Sequence, residues 1–369
     1  MKALFINNYE MREAWDLWKS GTYPGHHLWG VSHLGEYGVD VEILPHEKFA
    51  ALNDHWRFQR LLNMNRLETL ALDQQLRVLL RSGYDLVYSG CQTHTSLLAR
   101  LRALGIFRKP LVAVIHHPVQ ATAENERFVK AHDKLICLSK KVEDKLKNDF
   151  SIPDGKSITL EWGADLAFYD AGRAWDGNSA AEDPPLVVSA GKAKRDYNTL
   201  VESARNLDCR VQIYCSESSA PSVADMPDNV QARYGPKGSN AVSYREVLQE
   251  YKKAHLIAIP MAEVDALAGL TSLLDAMAMG KAVVMTRNDY IDIDIEKEGI
   301  GIWVAPGDVN QWRTAISYLL SHPGEAMEMG RRSRLLCEEK YDIRLFASKL
   351  ADVFRDVLSP KQREKRPTR

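Results

Sequence analysis

Ala268-Gly269-Leu270-Thr271-Ser272-Leu273-Leu274-Asp275-Ala276-Met277-Ala278-Met279-Gly280-Lys281-Ala282-Val283-Val284 is the stretch that decides the fold of this chain. A small, Gly-containing entry leads into a run of Leu, Ala and Met, all good helix formers. Gly280 closes that helix, because glycine adopts the left-handed backbone of a helix C-terminus without strain. The β-branched pair Val283-Val284 then starts a strand. A helix N-terminus offers unpaired N–H groups and the positive end of the dipole, which suits a phosphate. Asp275 falls on the face of Thr271 and Ser272, where a carboxylate can accept hydrogen bonds from ribose hydroxyls. A buried α/β helix with one solvated Asp explains the same letters, so the flanking sequence has to separate the two.

The chain has 369 residues, more than one ordinary core accommodates, so two domains are expected. Its 45% hydrophobic and 26% charged residues are ordinary globular composition. A net charge of −1 gives no global attraction toward nucleic acid. Cys91, Cys137, Cys209, Cys215 and Cys337 form an odd, scattered set without a CxxC, which fits reduced thiols in the cytoplasm. No run approaches the roughly 18 apolar residues of a membrane span. The first eight residues lack the apolar core and cleavage site of a signal peptide.

Upstream of the opening stretch, compact apolar runs at 3–6, 84–89, 110–115, 134–139 and 158–160 read as strands buried on both faces of a parallel sheet. Residues 38–44 alternate like another. A long polar loop follows the first strand and contains Tyr23, Gly25, His27 and Trp29. A helix starts beyond it, since Leu28, Val31 and Leu34 recur at helical spacing. No GxGxxG is present. Residues 54–82 read as one or two Leu- and Arg-rich helices, whose basic face is either solvated or touches a membrane. His116 and His117 stand at the C-terminal end of a strand, where open α/β sheets place ligand groups; a capping or core histidine is the alternative for His116. Residues 171–183 have the composition of an interdomain linker.

The same alternation resumes at 186–191, a strand ending in Gly191. Lys192, Lys194 and Arg195 follow at once, then a helix over 197–206. Cations beside a Gly turn and a helix start make a phosphate-binding arrangement, or else a solvated basic loop. Strands are expected at 210–215, 230–234, 256–260, 283–286 and 301–304, with helices at 244–254, 311–320, 324–340 and 344–358, and a frayed basic tail over 361–369. Strand–helix alternation thus occurs twice. It implies two doubly wound, Rossmann-like α/β domains facing each other across a cleft: 1–170, a linker 171–184, and 185–343, with 344–369 as a terminal helix and tail.

In order along the chain, these motifs resemble those of the family-4 retaining glycosyltransferases of the GT-B fold. Gly25 lies where that family has a glycine loop after the first strand. His116 lies where it has a His beside the transferred sugar. Trp162-Gly163-Ala164-Asp165-Leu166 resembles its Gly-x-Asp turn. Gly191-Lys192-Ala193-Lys194-Arg195 is similar to its phosphate clamp, with Arg195 in the second cationic slot. Residues 270–284 are similar to its donor-binding helix, and the last helix resembles one that crosses back to the N-terminal domain. The resemblance implies transfer of a sugar from a nucleotide-diphosphate sugar to an acceptor hydroxyl with retention of configuration and without a metal or resident cofactor. It implies that the N-terminal domain binds the acceptor and the C-terminal domain the donor. His116, Lys192 and Arg195 are then the catalytic candidates. Gly25, Gly163, Gly191, Lys192, Arg195, Asp265, Ala268, Gly269, Leu270, Thr271 and Asp275 are the donor-binding ones, and Tyr23, His27, Trp29 and His117 the acceptor-binding ones. The expected placement is cytoplasmic, with or without peripheral contact at the inner membrane face.

One position departs from the family pattern. The family has Glu, seven residues, then Glu; Asp275 fills the second slot, but the first falls at Leu267. Glu263, Asp265 or the backbone N–H of Ala268 or Gly269 are the available substitutes. Asp292-Ile293-Asp294 is the nearest thing to a metal-binding Asp-x-Asp, and hard cations need more clustered oxygens. No carboxylate pair points to a glycoside hydrolase. Besides a transferase, another GT-B enzyme such as a nucleotide-sugar epimerase, or a nucleotide-sugar binder without activity, remains open. Base recognition is expected in the loop 233–238.

Overall fold

The structure, a computed structural model, describes residues 1–46, 72–92, 94–173, 184–235, 242–263 and 265–359. Of the sequence expectations, most of the 54–82 helices, most of the 171–184 linker, part of the 233–238 loop and the 361–369 tail lie outside those residues. The chain divides into two compact units. One comprises Met1–Gly21, Gly25–Trp162 and Ile343–Arg369; the other comprises Thr22–Pro24 and Gly163–Asp342. The division falls at Trp162/Gly163 rather than after residue 170, and Tyr23 goes with the second unit instead of the first.

The first unit is a parallel sheet of β1 (Lys2–Ile6), β2 (Asp40–Ile43), β3 (Leu86–Ser89), β4 (Leu111–Ile115), β5 (Lys134–Cys137) and β6 (Ser157–Thr159), in the order β2-β1-β3-β4-β5-β6. Strands β3, β4 and β5 are buried along their whole length, as strands covered on both faces must be. Its helices are α1 (Met11–Lys19), α2 (Val31–Leu34), α3 (Leu72–Leu80), α4 (Ser96–Ala103), α5 (Ala123–Ala131) and α6 (Lys140–Phe150). Where the sequence suggests a polar loop, α1 forms, capped by the Glu10 carboxylate on Arg12 N and burying only Met11 and Ala14. Helix α5 is equally unexpected; the Thr122 hydroxyl caps it and Phe128, Val129 and Ala131 are its buried face.

The second unit contains α7 (Leu166–Arg173), β7 (Leu186–Ala190), α8 (Tyr197–Ala204), β8 (Arg210–Ser216), β9 (Val230–Gly235), α9 (Tyr244–Lys253), β10 (Leu256–Ile259), α10 (Leu270–Ala278), β11 (Ala282–Thr286), β12 (Gly301–Val304), α11 (Val309–Ser321) and α12 (Pro323–Lys340). Its strands run parallel in the order β12-β11-β10-β7-β8-β9. The core gathers Val187, Leu200, Ile213, Leu256, Val284, Trp312 and Ile316. Strand order reverses between β7 and β10, and open α/β sheets bind ligands beyond the carboxyl ends of the strands at such a reversal.

The last helix, α13 (Ile343–Leu358), returns to the first unit. It buries Phe346, Leu350 and Phe354, and Phe354 meets the Tyr88 ring with centroids 5.3 Å apart. Gly30, at φ +81°, is required there because a Cβ would press on Phe346 and Leu350.

Candidate functional site

At the strand-order reversal of the second unit, β7 ends at Ala190 and Gly191 turns the chain. A Cβ at Gly191 would run into the Arg195 guanidinium, so glycine lets Arg195 fold back over the strand end. Arg195 pairs with Met261, just past β10, in an isolated bridge. Its Nη2 donates to Ser272 Oγ at 2.7 Å, and Ser272 Oγ donates to Ala190 O at 3.0 Å. One arginine thus ties the end of β7 to the first turn of α10. Lys192 is exposed beside it. Asp196 caps α8, taking Thr199 N at 3.1 Å.

Helix α10 begins after Gly269, at φ +89°, and no side chain caps it. The N–H groups of its first turn therefore lack the usual internal or side-chain acceptor. Glycine is required at 269, since a Cβ would meet Met285 and Met261. Asn288 Nδ2 holds the approach loop through Ala266 O at 3.1 Å and Ala268 O at 3.0 Å. Asp265, exposed, accepts the Tyr290 hydroxyl at 2.5 Å. Leu267 is buried; the side chain in the family's first Glu slot packs inward.

Asp275 differs from the expectation of a carboxylate presented directly to a ribose. It is buried, and its Oδ1 accepts the hydroxyls of Tyr169 at 2.5 Å and Tyr244 at 2.6 Å. Tyr169 comes from α7 and is fully buried, and Tyr244 is the first residue of α9 and largely buried. The Tyr23 ring stands edge-on to Tyr244, centroids 5.5 Å apart, so Tyr23 belongs to this cluster. Burial pushes the Asp275 carboxyl up to about 6, against the two phenol hydrogen bonds and the charge of Arg195 that lower it. A folded-state value above the unfolded one contributes stability that is complete below about pH 4 and lost as pH rises through about 6. Asp275→Asn keeps an Oδ1 acceptor for both phenols and removes the titration. The variant's melting temperature is therefore expected to gain on the wild type between pH 4 and 7, by at most about 3 kcal/mol of stability. Melting curves of the two proteins that stay parallel across that range would overturn this.

At two of the candidate positions the residue serves the fold. Gly163 packs against the chain at Tyr341–Asp342, where Ala164 N donates to Tyr341 O at 2.7 Å and a Cβ on Gly163 would strike that backbone. This crossing is enough to require glycine. Asp294 accepts Trp303 Nε1 at 3.0 Å and Lys297 N at 3.3 Å, so that carboxylate holds a turn together.

In the first unit, Gly25 is buried in a short turn over Gly25–Leu28. Trp29, at φ +54°, carries a strained backbone for a bulky residue. Its indole stacks on His116 at 4.3 Å and on Trp162 at 5.0 Å. These contacts engage the ring faces that sugar stacking would use. His27 lies 4.3 Å from the His26 ring. Gln92 Oε1 accepts the N–H groups of His116 at 3.0 Å and His117 at 3.2 Å, which fixes the strand end carrying them. Burial, with a lesser push from His117, lowers His116 to about 3. His116 is thus a neutral imidazole at physiological pH, able to accept or donate a hydrogen bond but not to act as a charged acid.

The residues that sequence reasoning misses here are Tyr169, Tyr244, Ser272, Asn288 and Tyr290. They reach the site from distant elements, and only Ser272 lies inside the decisive stretch.

The second unit's geometry agrees with an independent match. Residues 196–322 match the family model Glycosyl transferases group 1. That segment runs from the cap of α8 through α10 to the end of α11. A search of curated proteins finds no match. Among solved structures, a glycosyltransferase from Rickettsia africae is similar with a TM-score of 0.66 at 13% identity, covering 97% of this chain and 98% of that one. Sucrose-phosphate synthase from Thermosynechococcus elongatus is similar with a TM-score of 0.69 at 14% identity, covering 96% and 98%. Anabaena HepE in complex with UDP-glucose gives 0.63 at 13%, covering 96% and 100%. These likenesses establish the fold: the chain is a GT-B protein. No described helix is long and apolar enough to cross a membrane.

Proposed function

We propose that the protein is a retaining glycosyltransferase that moves a sugar from a nucleotide-diphosphate sugar to an acceptor hydroxyl without a metal. The observation that carries this is the uncapped start of α10, with Arg195 bonded into its first turn and Lys192 exposed at the same strand end. Departure of the sugar leaves negative charge on a diphosphate. Fixed N–H groups and a guanidinium, already in place, stabilise that charge without reorganising. The arginine fork matches phosphate oxygens, and the helix dipole adds to it. The resemblance to family-4 enzymes supports this reading: it implies retention of configuration, a His beside the transferred sugar at the position of His116, and an acceptor side on the first unit. HepE, similar in fold, is known in complex with UDP-glucose, so uridine donors come first in the test.

Incubation with a panel of nucleotide sugars is expected to release nucleoside diphosphate from one of them, undiminished in EDTA, with the product sugar in the donor's anomeric configuration. Inverted product would overturn retention, and loss of activity in EDTA restored by Mg²⁺ would overturn metal independence. The buried Leu267 in place of a sugar-contacting Glu favours a second reading, a nucleotide-sugar binder without transfer. Saturable binding without turnover would establish it, and binding of no nucleotide sugar would exclude both.

A further inference from the structure

The first sheet carries a concavity at the end opposite to His116 and His117. An open pocket of about 690 Å³ lies beyond the N-terminal ends of β5 and β6. Its walls are the C-terminal turns of α4 and α5 and the turn at 153–156. That volume is in the range of small-molecule sites, roughly 300–1,000 Å³. Ala103, Ala131 and Gly155 leave the space, and most of the remaining wall is charged.

Some of these charges are matched within the pocket and some are not. Arg102 forks onto Asp133 at 2.7 and 2.9 Å, and Lys130 pairs with Glu126 at 2.6 Å. Those four cancel. Lys156 runs across the end of α5 and donates to Lys130 O at 2.9 Å and His132 O at 2.6 Å. The two carbonyls take two of its three protons, and among the described residues no carboxylate contacts it. Burial lowers Lys156 to about 8, against the pull of Asp133 and with a smaller push from Arg102, as befits an ammonium short of counter-charge. Arg127, on α5, and Asp154, on the 153–156 turn, are exposed. Among the described residues neither side chain has a hydrogen-bond or ion-pair partner. The pocket thus presents two uncompensated cations and one uncompensated acid.

A dianionic phosphate satisfies the cations: Arg127 offers its fork and Lys156 its third proton. Asp154 is then free to accept hydroxyls of the body that carries the phosphate. A zwitterionic amino acid would leave Lys156 uncompensated. A bare phosphate would meet Asp154 as a like charge and leave most of the space empty. We propose that this pocket is a binding site for a sugar phosphate, separate from the strand ends that carry the candidate donor and acceptor residues. It is independent of the nucleotide-sugar reading, since its residues all belong to the far end of the first sheet.

The test is calorimetric titration of the full chain with hexose phosphates, pentose phosphates, free glucose and inorganic phosphate. One of the sugar phosphates is expected to bind at least about 10-fold more tightly than inorganic phosphate, the worth of one or two hydrogen bonds from its hydroxyls. Free glucose is expected not to bind. Arg127→Ala, at an exposed position, is expected to melt as wild type does and to weaken the sugar phosphate by about 10- to 100-fold, the worth of a hydrogen bond to a charged group. Asp154→Ala is expected to weaken the sugar phosphate and to strengthen inorganic phosphate, which erases the preference. At pH 8 the bound phosphate recharges Lys156, so wild type takes up to about half a proton on binding, read from the heats in buffers of different ionisation enthalpy. Lys156→Arg, which stays charged, is expected to take up none. If no sugar phosphate binds at millimolar concentration, the proposal is overturned. Affinity unchanged in Arg127→Ala would place the ligand elsewhere and overturn it too, and a preference unchanged in Asp154→Ala would reduce the pocket to a site for a simple anion.

Discussion

Arg195→Ala is expected to weaken binding of the donor's nucleoside diphosphate by about 10- to 100-fold, the worth of one or two hydrogen bonds to a charged group. Turnover is expected to fall further, by about 10²–10³-fold, because the charge on the leaving diphosphate peaks in the transition state. The guanidinium is placed for this by Gly191, which leaves room for it, and by Ser272 Oγ, which receives its Nη2 at 2.7 Å. Arg195→Lys keeps the charge but loses the fork, and should fall between wild type and alanine. Loss of the internal bond costs stability too, about 1 kcal/mol, and a melting curve registers that part separately. Lys192 is exposed, and its ammonium has to be drawn out of water to meet a phosphate, so Lys192→Ala should lose less. Calorimetry with the diphosphate, followed by a turnover assay, measures both. Affinity and turnover unchanged in Arg195→Ala would remove the phosphate role assigned to this strand end.

How much of this is legible in the sequence follows from the kind of signal each feature leaves. The strands can be read because parallel strands covered on both faces are unbroken apolar runs, such as Leu111–Ile115 and Leu256–Ile259. Their number and spacing carry the two-sheet architecture, while the returning last helix comes from the family resemblance. Helices α1 and α5 cannot be read so easily. Each buries only two or three residues, and α1 lies in a polar segment next to a Gly-rich turn. The strand-end cluster proposed to hold phosphate is legible because it is local: Gly191, Lys192 and Arg195 are consecutive or nearly so, and Gly269 directly precedes its helix. The cluster around Asp275 is not. Tyr169 and Tyr244 stand 106 and 31 residues from Asp275, and no spacing rule connects residues brought together only by packing. From sequence, Asp275 looks like a solvated or ligand-facing acid. The phenols that bury it show only in three dimensions. Trp29 is a similar case, since its stacking on His116 and Trp162 depends on a left-handed backbone that no tryptophan announces.

Gly330→Ala is expected to destabilise the second unit by about 3 kcal/mol or more, although alanine is the better helix former by about 1 kcal/mol at an exposed site. The sign reverses because of what Gly330 faces. Helix α10 ends in a left-handed Gly280, at φ +67°, with Gly280 N donating to Met277 O at 3.0 Å and Lys281 N to Ala276 O at 2.9 Å. That closure is the Schellman arrangement, and it turns the Gly280 carbonyl toward α12. A Cβ on Gly330 would strike that carbonyl and crowd the Lys281 Cα. The obstruction is backbone on both sides, so no rotamer change relieves it. Relief would require α12 to move off α10, loosening the Arg334 side chain that donates to Ala278 O at 2.9 Å and with it the seat of α10. For a unit of this size, about 3 kcal/mol corresponds to a drop of roughly 6–12 °C in the melting transition. Gly324→Ala serves as the control, because nothing lies within 4 Å of a Cβ placed there. A Gly330→Ala transition at or above the wild-type temperature would mean that α12 does not approach α10 backbone to backbone, and that α10 is seated some other way.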